Sequence, residues 1–163
     1  MLKKARKSEF GPVFMLVKED RLGLQFHSSV EVFEALKDDA QSDREWLQAI
    51  YMDPKNQVIQ KCLESFGTTD QSAVYPREIA RRALLCGASA VILAHNHPSG
   101  DPEPSLCDRE LTKDMVLGLG TLQIKVLDHI IVGAKIRGNQ RYYSFADEGV
   151  MDDYTMLMDG RRL

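Results

Sequence analysis

The chain has 163 residues, 44% hydrophobic and 28% charged, with a net charge of −3, a balance that fits one folded domain and excludes a disordered segment. A pI of about 5.8 argues against a protein whose main work is gripping phosphate backbones. No apolar run approaches the ~18 residues of a membrane span, and the basic N-terminus lacks the apolar stretch of a secretory signal, so no membrane partner is expected. Cys62, Cys86 and Cys107 show no C-x-x-C spacing and cannot all pair with one another, which fits a reducing, cytoplasmic setting.

In chain order, Lys3, Lys4, Arg6 and Lys7 read as a solvated terminus. Val13–Val17 and Leu22–Phe26 flank a charged turn and suggest a β-hairpin, so residues 1–29 are read as an N-terminal arm with a possible hairpin. Ser28 and Glu31 stand in capping-box spacing before Val32, Phe33, Ala35 and Leu36, which predicts an amphipathic helix. Trp46–Met52, the turn Asp53–Asn56 and Val58–Phe66 predict two paired strands. Trp46 reads as core packing.

A second helix is predicted to open at Tyr75-Pro76-Arg77-Glu78 and to end before Gly87, with Pro near its first turn and Gly past its end. Arg81 and Arg82 on it read as a solvated face. Ala90–Ala94 is continuously apolar, as expected of a strand buried on both sides. After the Pro- and Gly-rich loop Pro98–Pro104, a third helix is predicted over Ser105–Leu117, then strands over Ile124–Val132 and Arg141–Phe145. The main domain is placed at residues 30–150, and residues 151–163 read as a polar tail with scattered methionines. Strands and helices mixed in this way predict an α/β fold, a mixed β-sheet with helices on both faces.

The chemistry is concentrated in His95-Asn96-His97-Pro98-Ser99-Gly100-Asp101-Pro102-Glu103-Pro104-Ser105-Leu106-Cys107-Asp108. Residues two apart on a strand point to one side, so His95 and His97 converge while Asn96 faces away. Three prolines and a glycine within the ten residues between His97 and Asp108 favour a stiff turn that returns Asp108 to the strand end. Two histidines and a carboxylate leave one tetrahedral position open, the pattern of a catalytic zinc. A plainer reading competes: Ser105-Leu106-Cys107-Asp108 also fits a capping pattern, which would leave Asp108 serving only a helix N-terminus.

The spacing H-x-H, ten residues, then D with Ser three before it resembles the JAMM motif of the JAB/MPN metalloprotease superfamily. More narrowly, HNHPSGDPEPS is similar to the RadC family, as are Tyr75-Pro76-Arg77-Glu78 and Leu127-Asp128-His129-Ile130-Ile131-Val132-Gly133. The resemblance runs from about Val30 to Val150 and implies the JAB/MPN (cytidine-deaminase-like) three-layer domain. It implies His95, His97 and Asp108 as ligands of one zinc per chain, Ser105 as a stabiliser of the oxyanion, and an upstream glutamate as general base. Glu45, just ahead of a strand, is the best match; Glu31 and Glu34 fall on a helix and Glu64 in a later strand. The implied activity is hydrolysis of peptide or isopeptide amide bonds, with a peptide or protein as substrate.

Three further readings are weighed against this one. A zinc nucleobase deaminase would need H-x-E and P-C-x-x-C, and the chain has His97 and no C-x-x-C. The family's name links it to DNA repair, and Lys3–Lys7 with Arg161-Arg162 could touch DNA. However, RadC-like proteins often carry an N-terminal helix-hairpin-helix region, for which the residues ahead of the resemblance leave no room, and this weakens the DNA inference. A binding module that keeps the zinc site without turnover is the third possibility. Cys107 is expected to be a buried structural thiol. His129 is read either as orienting a ligand or as a satisfied core histidine, since polar groups within an apolar strand need partners.

Overall fold

β3 (Ala90–Asn96) is buried at every residue, which is why its sequence shows no polar alternation. It lies at the centre of a five-stranded sheet in the order β2-β1-β3-β4-β5. Its neighbours are β1 (Glu45–Met52), antiparallel, and β4 (Lys125–Arg137), parallel. β2 (Val58–Gly67) and β5 (Gln140–Ser144) complete the two antiparallel ends. This computed structural model describes residues 24–38, 42–67, 75–137 and 140–160, so the predicted hairpin over residues 13–26 lies almost wholly outside the described residues.

One sheet face carries Trp46, Ile50, Ile92, Ala94, Ile130 and Val132, covered by Val32 and Leu36 of α1 (Ser29–Leu36). The other carries Leu47, Ala49, Tyr51, Val91 and Leu93, covered by Ile79 and Ala83 of α2 (Pro76–Cys86) and Met115 and Leu119 of α3 (Leu106–Gly120). Helices therefore cover both faces, as expected of the α/β class. Burial of these side chains at roughly 1.5–3 kcal/mol each is the main term holding the layers together. No helix among the described residues is long and apolar enough to cross a membrane.

Three expectations are corrected. The stretch read as a polar tail contains α4 (Val150–Met158), whose Met151 packs with Val116, Ile131, Tyr143 and Phe145. Its N-cap is Gly149 with no side-chain cap bond, so the usual start signal is missing. Arg82 does not lie on a solvated face. It is one turn from the buried Ile79 and reaches Glu64 on β2 at 3.1 Å, the two side chains only 13% and 3% exposed. The Tyr51 hydroxyl donates to the same carboxylate at 2.7 Å. Burial pushes the Glu64 carboxyl up despite these partners. Cys107 is exposed, because the buried stripe of α3 begins at Asp108 and runs through Thr112, Met115, Val116 and Leu119, about 100° round the helix from its neighbour.

Asp128, a polar residue inside β4, anchors the chain after β5. Its carboxylate accepts from the backbone N–H of His129 (2.7 Å), the backbone N–H of Ala146 (2.9 Å) and the Ser144 hydroxyl (2.6 Å). Burial outweighs these bonds and pushes its pKa up to about 6. Asp128→Ala is expected to cost about 2–4 kcal/mol, since it orphans buried donors, whereas Asp128→Asn is expected to cost about 1 kcal/mol, since its one carbonyl oxygen still accepts the His129 and Ala146 N–H groups while its NH2 must donate to the Ser144 hydroxyl that formerly donated. With its folded pKa raised, Asp128 takes up a proton on folding, so its contribution is present below the unfolded pKa near 4 and is lost as pH rises through about 6. Urea titrations between those pH values check both statements, and the asparagine variant should lose that part of the slope.

Candidate metal centre

The site lies where β3 ends and α3 begins, the carboxyl end of a parallel strand pair beside a helix N-terminus. His95, His97 and Asp108 present ligand atoms that all lie within 4.8 Å of one another. His95 Nε2 is 3.0 Å from His97 Nε2 and 3.1 Å from Asp108 Oδ1, and His97 Nε2 is 3.2 Å from Asp108 Oδ2. Ligands about 2.0–2.1 Å from a tetrahedral zinc stand about 3.3 Å apart, so the triangle has the right size for such an ion.

The hydrogen bonds around the triangle test whether a metal fits. His97 Nδ1 faces the backbone carbonyl of Asp101 at 2.9 Å, and a carbonyl only accepts, so Nδ1 carries the hydrogen and Nε2 of the neutral ring is a lone pair. His95 Nδ1 faces His129 Nε2 at 2.8 Å, and its own Nε2 also points into the triangle. Two ring nitrogens aimed at each other beside a carboxylate form a donor set that a divalent cation satisfies.

The Pro-rich loop acts as the stiff return that the spacing predicts. Gly100, at φ +75°, donates its N–H to the His97 carbonyl at 2.8 Å. The loop presses on β4 at Gly133, where an added Cβ would stand 2.8 Å from Pro102 Cδ and 2.9 Å from the Gly100 carbonyl oxygen. That close approach holds the Asp101 carbonyl against His97.

Asp108 has both of the roles that competed in the sequence. It completes a capping box with Ser105, its Oδ2 accepting the Ser105 N–H at 2.7 Å while the Ser105 hydroxyl accepts the Asp108 N–H at 3.2 Å. The Ser105 hydroxyl also donates to Oδ2, at 2.6 Å. Burial works against the carboxylate, but the two imidazoles and Ser105 outweigh it and hold Asp108 far below the usual carboxylate range. For His97 burial likewise acts downward, and Asp108, the Asp101 carbonyl and Glu45 together hold the ring above its ordinary value.

Glu45 opens β1 on the same side of the sheet as the histidines. The β1–β3 register ends where Leu47 pairs with His95, and Glu45, two residues before Leu47, is near enough for its charge to act on His97. Asn96, turned away from the triangle, fixes this strand end: its Oδ1 accepts the Trp46 N–H at 2.9 Å and its amide donates to the Arg44 carbonyl at 3.2 Å. Those contacts lie on either side of Glu45. Sequence reasoning placed Asn96 only as facing away, and it missed Thr112, a helix residue four after Asp108 whose hydroxyl meets His129 Nδ1 at 2.6 Å. His129 is fully buried, and burial holds its ring neutral, well below the ordinary histidine range.

Residues 26–150 match the family of RadC-like JAB domains. The chain belongs to that family. This RadC-like JAB domain is 40% identical over 135 residues to a UPF0758 protein of Histophilus somni (strain 2336), covering 82% of this chain and 59% of that protein. It is 45% identical over 109 residues to a UPF0758 protein of Stenotrophomonas maltophilia (strain K279a), covering 66% of this chain and 44% of that one. Over 106 residues it is 43% identical to a UPF0758 protein of Actinobacillus pleuropneumoniae serotype 5b (strain L20). The chain spans about half the length of these relatives.

Proposed function

We propose that this RadC-like JAB domain is a zinc-dependent hydrolase that cleaves peptide or isopeptide amide bonds, with His95, His97 and Asp108 holding one zinc per chain. The observation that carries this reading is the triangle of two imidazole Nε2 atoms and a carboxylate with edges of 3.0 to 3.2 Å, its His97 lone pair aimed inward by the Asp101 carbonyl. A zinc ion held there with an open position would polarise a bound water and bring its pKa to about 7.

The chain's own residues supply the rest. Glu45, at the start of β1 with its charge acting on His97, takes the proton of the attacking water and delivers it to the leaving amine. The Ser105 hydroxyl sits at the exposed start of α3. It rotates from Asp108 Oδ2 to the substrate's carbonyl oxygen as negative charge develops there. No covalent intermediate with the chain is required.

Metal content tests the reading directly. Protein purified without added metal is expected to carry about one zinc per chain, and His97→Ala far less, because removing one of three ligands opens the site. No bound metal in the parent after zinc is supplied would end the hydrolase reading. Zinc uptake with no cleavage of peptide or isopeptide substrates would instead favour a binding module that keeps its metal.

A further inference from the structure

The shell behind the metal triangle contains a hydrogen-bond chain whose direction can be assigned atom by atom. Thr112 Oγ1 lies 2.5 Å from the Asp108 backbone carbonyl and 2.6 Å from His129 Nδ1. A hydroxyl has one hydrogen, and a carbonyl oxygen can only accept. Were that hydrogen turned to His129, two oxygens would face each other at 2.5 Å with nothing between them. The hydroxyl therefore donates to Asp108 and accepts from His129 Nδ1–H. His129 Nε2 is then a lone pair, and the group facing it at 2.8 Å is His95 Nδ1, which must donate.

We propose, resting on the metal-site reading above, that Thr112 and His129 are positioning residues of the metal centre: they lock His95 in its Nδ1–H tautomer and so keep its Nε2 free to bind the metal. The chain starts and ends on ligand residues, running from the Asp108 main chain through Thr112 and His129 to His95. Metal-binding histidines commonly give their second N–H to such a partner, which fixes both tautomer and ring angle. Here the partner is itself a histidine, an ambivalent group that could donate or accept, so Thr112 is the residue that decides its direction.

The fold brings His129 to this place through an irregularity. β3 and β4 pair Val91 with Val126 and then Ile92 with Asp128, leaving Leu127 as an extra residue. Without that shift Leu93 would oppose Asp128, and the aspartate would share a face with His95. With it, Leu93 opposes His129, and the ring stacks against Phe145 with centroids 5.2 Å apart. A bulge that re-aims a side chain beside a site is a recurrent use of such irregularities.

The test uses Thr112→Val, close to isosteric, and Thr112→Ser, which keeps the hydroxyl. Two readouts are taken on the full chain: zinc affinity by chelator competition, and histidine tautomers in the metal-free protein from long-range ¹H–¹⁵N imidazole spectra. The parent and Thr112→Ser are expected to show His95 protonated on Nδ1. Thr112→Val should lose that single tautomer and bind zinc ~10–100-fold more weakly, with thermal melting showing that it still folds. A His95 protonated on Nε2 in the parent would overturn the proposal. So would a Thr112→Val protein that keeps the Nδ1–H tautomer and binds zinc within about twofold of the parent, outside the range of such outer contacts. A parent with the Nδ1–H tautomer but no zinc uptake would remove the metal reading and leave the tautomer assignment standing.

Discussion

Asp108→Asn is expected to cut zinc affinity by about 100-fold or more while the domain stays folded, because metal affinity depends on charged, deprotonated ligands and an amide supplies no charge. The prediction separates two roles carried by one side chain. Asp108 Oδ2 accepts the Ser105 N–H at 2.7 Å, while Oδ1 stands 3.1 Å from His95 Nε2. An asparagine oxygen can still accept from Ser105, so the cap survives apart from the loss of charge near the helix N-terminus, worth roughly 0.3–1 kcal/mol.

Asp108→Ala leaves the Ser105 hydroxyl on the residue-108 N–H but removes the returning half of the capping box, so the Ser105 N–H loses its acceptor at a further cost of about 1 kcal/mol. Chelator competition gives the affinity, and melting in excess chelator gives the stability without metal. The ordering expected is equal loss of zinc in both variants, with a small fall in melting temperature for asparagine and a larger one for alanine. An asparagine variant that binds zinc like the parent would show that the carboxylate serves the cap alone.

Local spacing made the triangle legible. His95 lies on β3 and His97 just past its end, two residues apart and converging, and the stiff loop brings Asp108 back, so each relation is encoded within fourteen consecutive residues. Strand burial was equally open to reading in Ala90–Ala94. What stayed hidden was long-range or lacked a chemical marker. His129 lies 34 residues from His95 and faces it only because of the one-residue slip at Leu127, which period-two alternation does not encode. Arg82 reads as solvated from helical periodicity alone, because its partner Glu64 is on a strand paired with β1. α4 begins after a glycine with no side-chain cap, so its polar composition suggested a tail. Asp108 shows a different difficulty: two readings competed because both describe it, and the same oxygen serves the cap and faces His97.

Glu45→Gln is expected to lower kcat by ~10²–10⁴-fold, the usual contribution of a positioned general base, with zinc content and melting temperature unchanged. Glutamine keeps the length and shape of the side chain but does not take up a proton at neutral pH, so a fall in kcat with KM unchanged isolates proton transfer from binding. The structure offers a matched control in Glu64, which is paired with Arg82 at 3.1 Å and takes the Tyr51 hydroxyl at 2.7 Å. Glu64→Gln should lower stability and leave turnover alone, because that carboxylate belongs to the contact between α2 and β2. Asn96 connects Glu45 to the metal triangle mechanically. It is the last residue of β3, between His95 and His97, and its amide grips the backbone on both sides of Glu45 through Arg44 and Trp46. β3 thereby sets the position of Glu45 relative to His95, and if Glu45 is the proposed base, a shift of about 1 Å in such a group can cost 10²-fold in rate. Full activity in Glu45→Gln, measured on whichever peptide or isopeptide substrate the parent cleaves, would move the base elsewhere in the cleft and leave Glu45 as a solvated strand-end carboxylate.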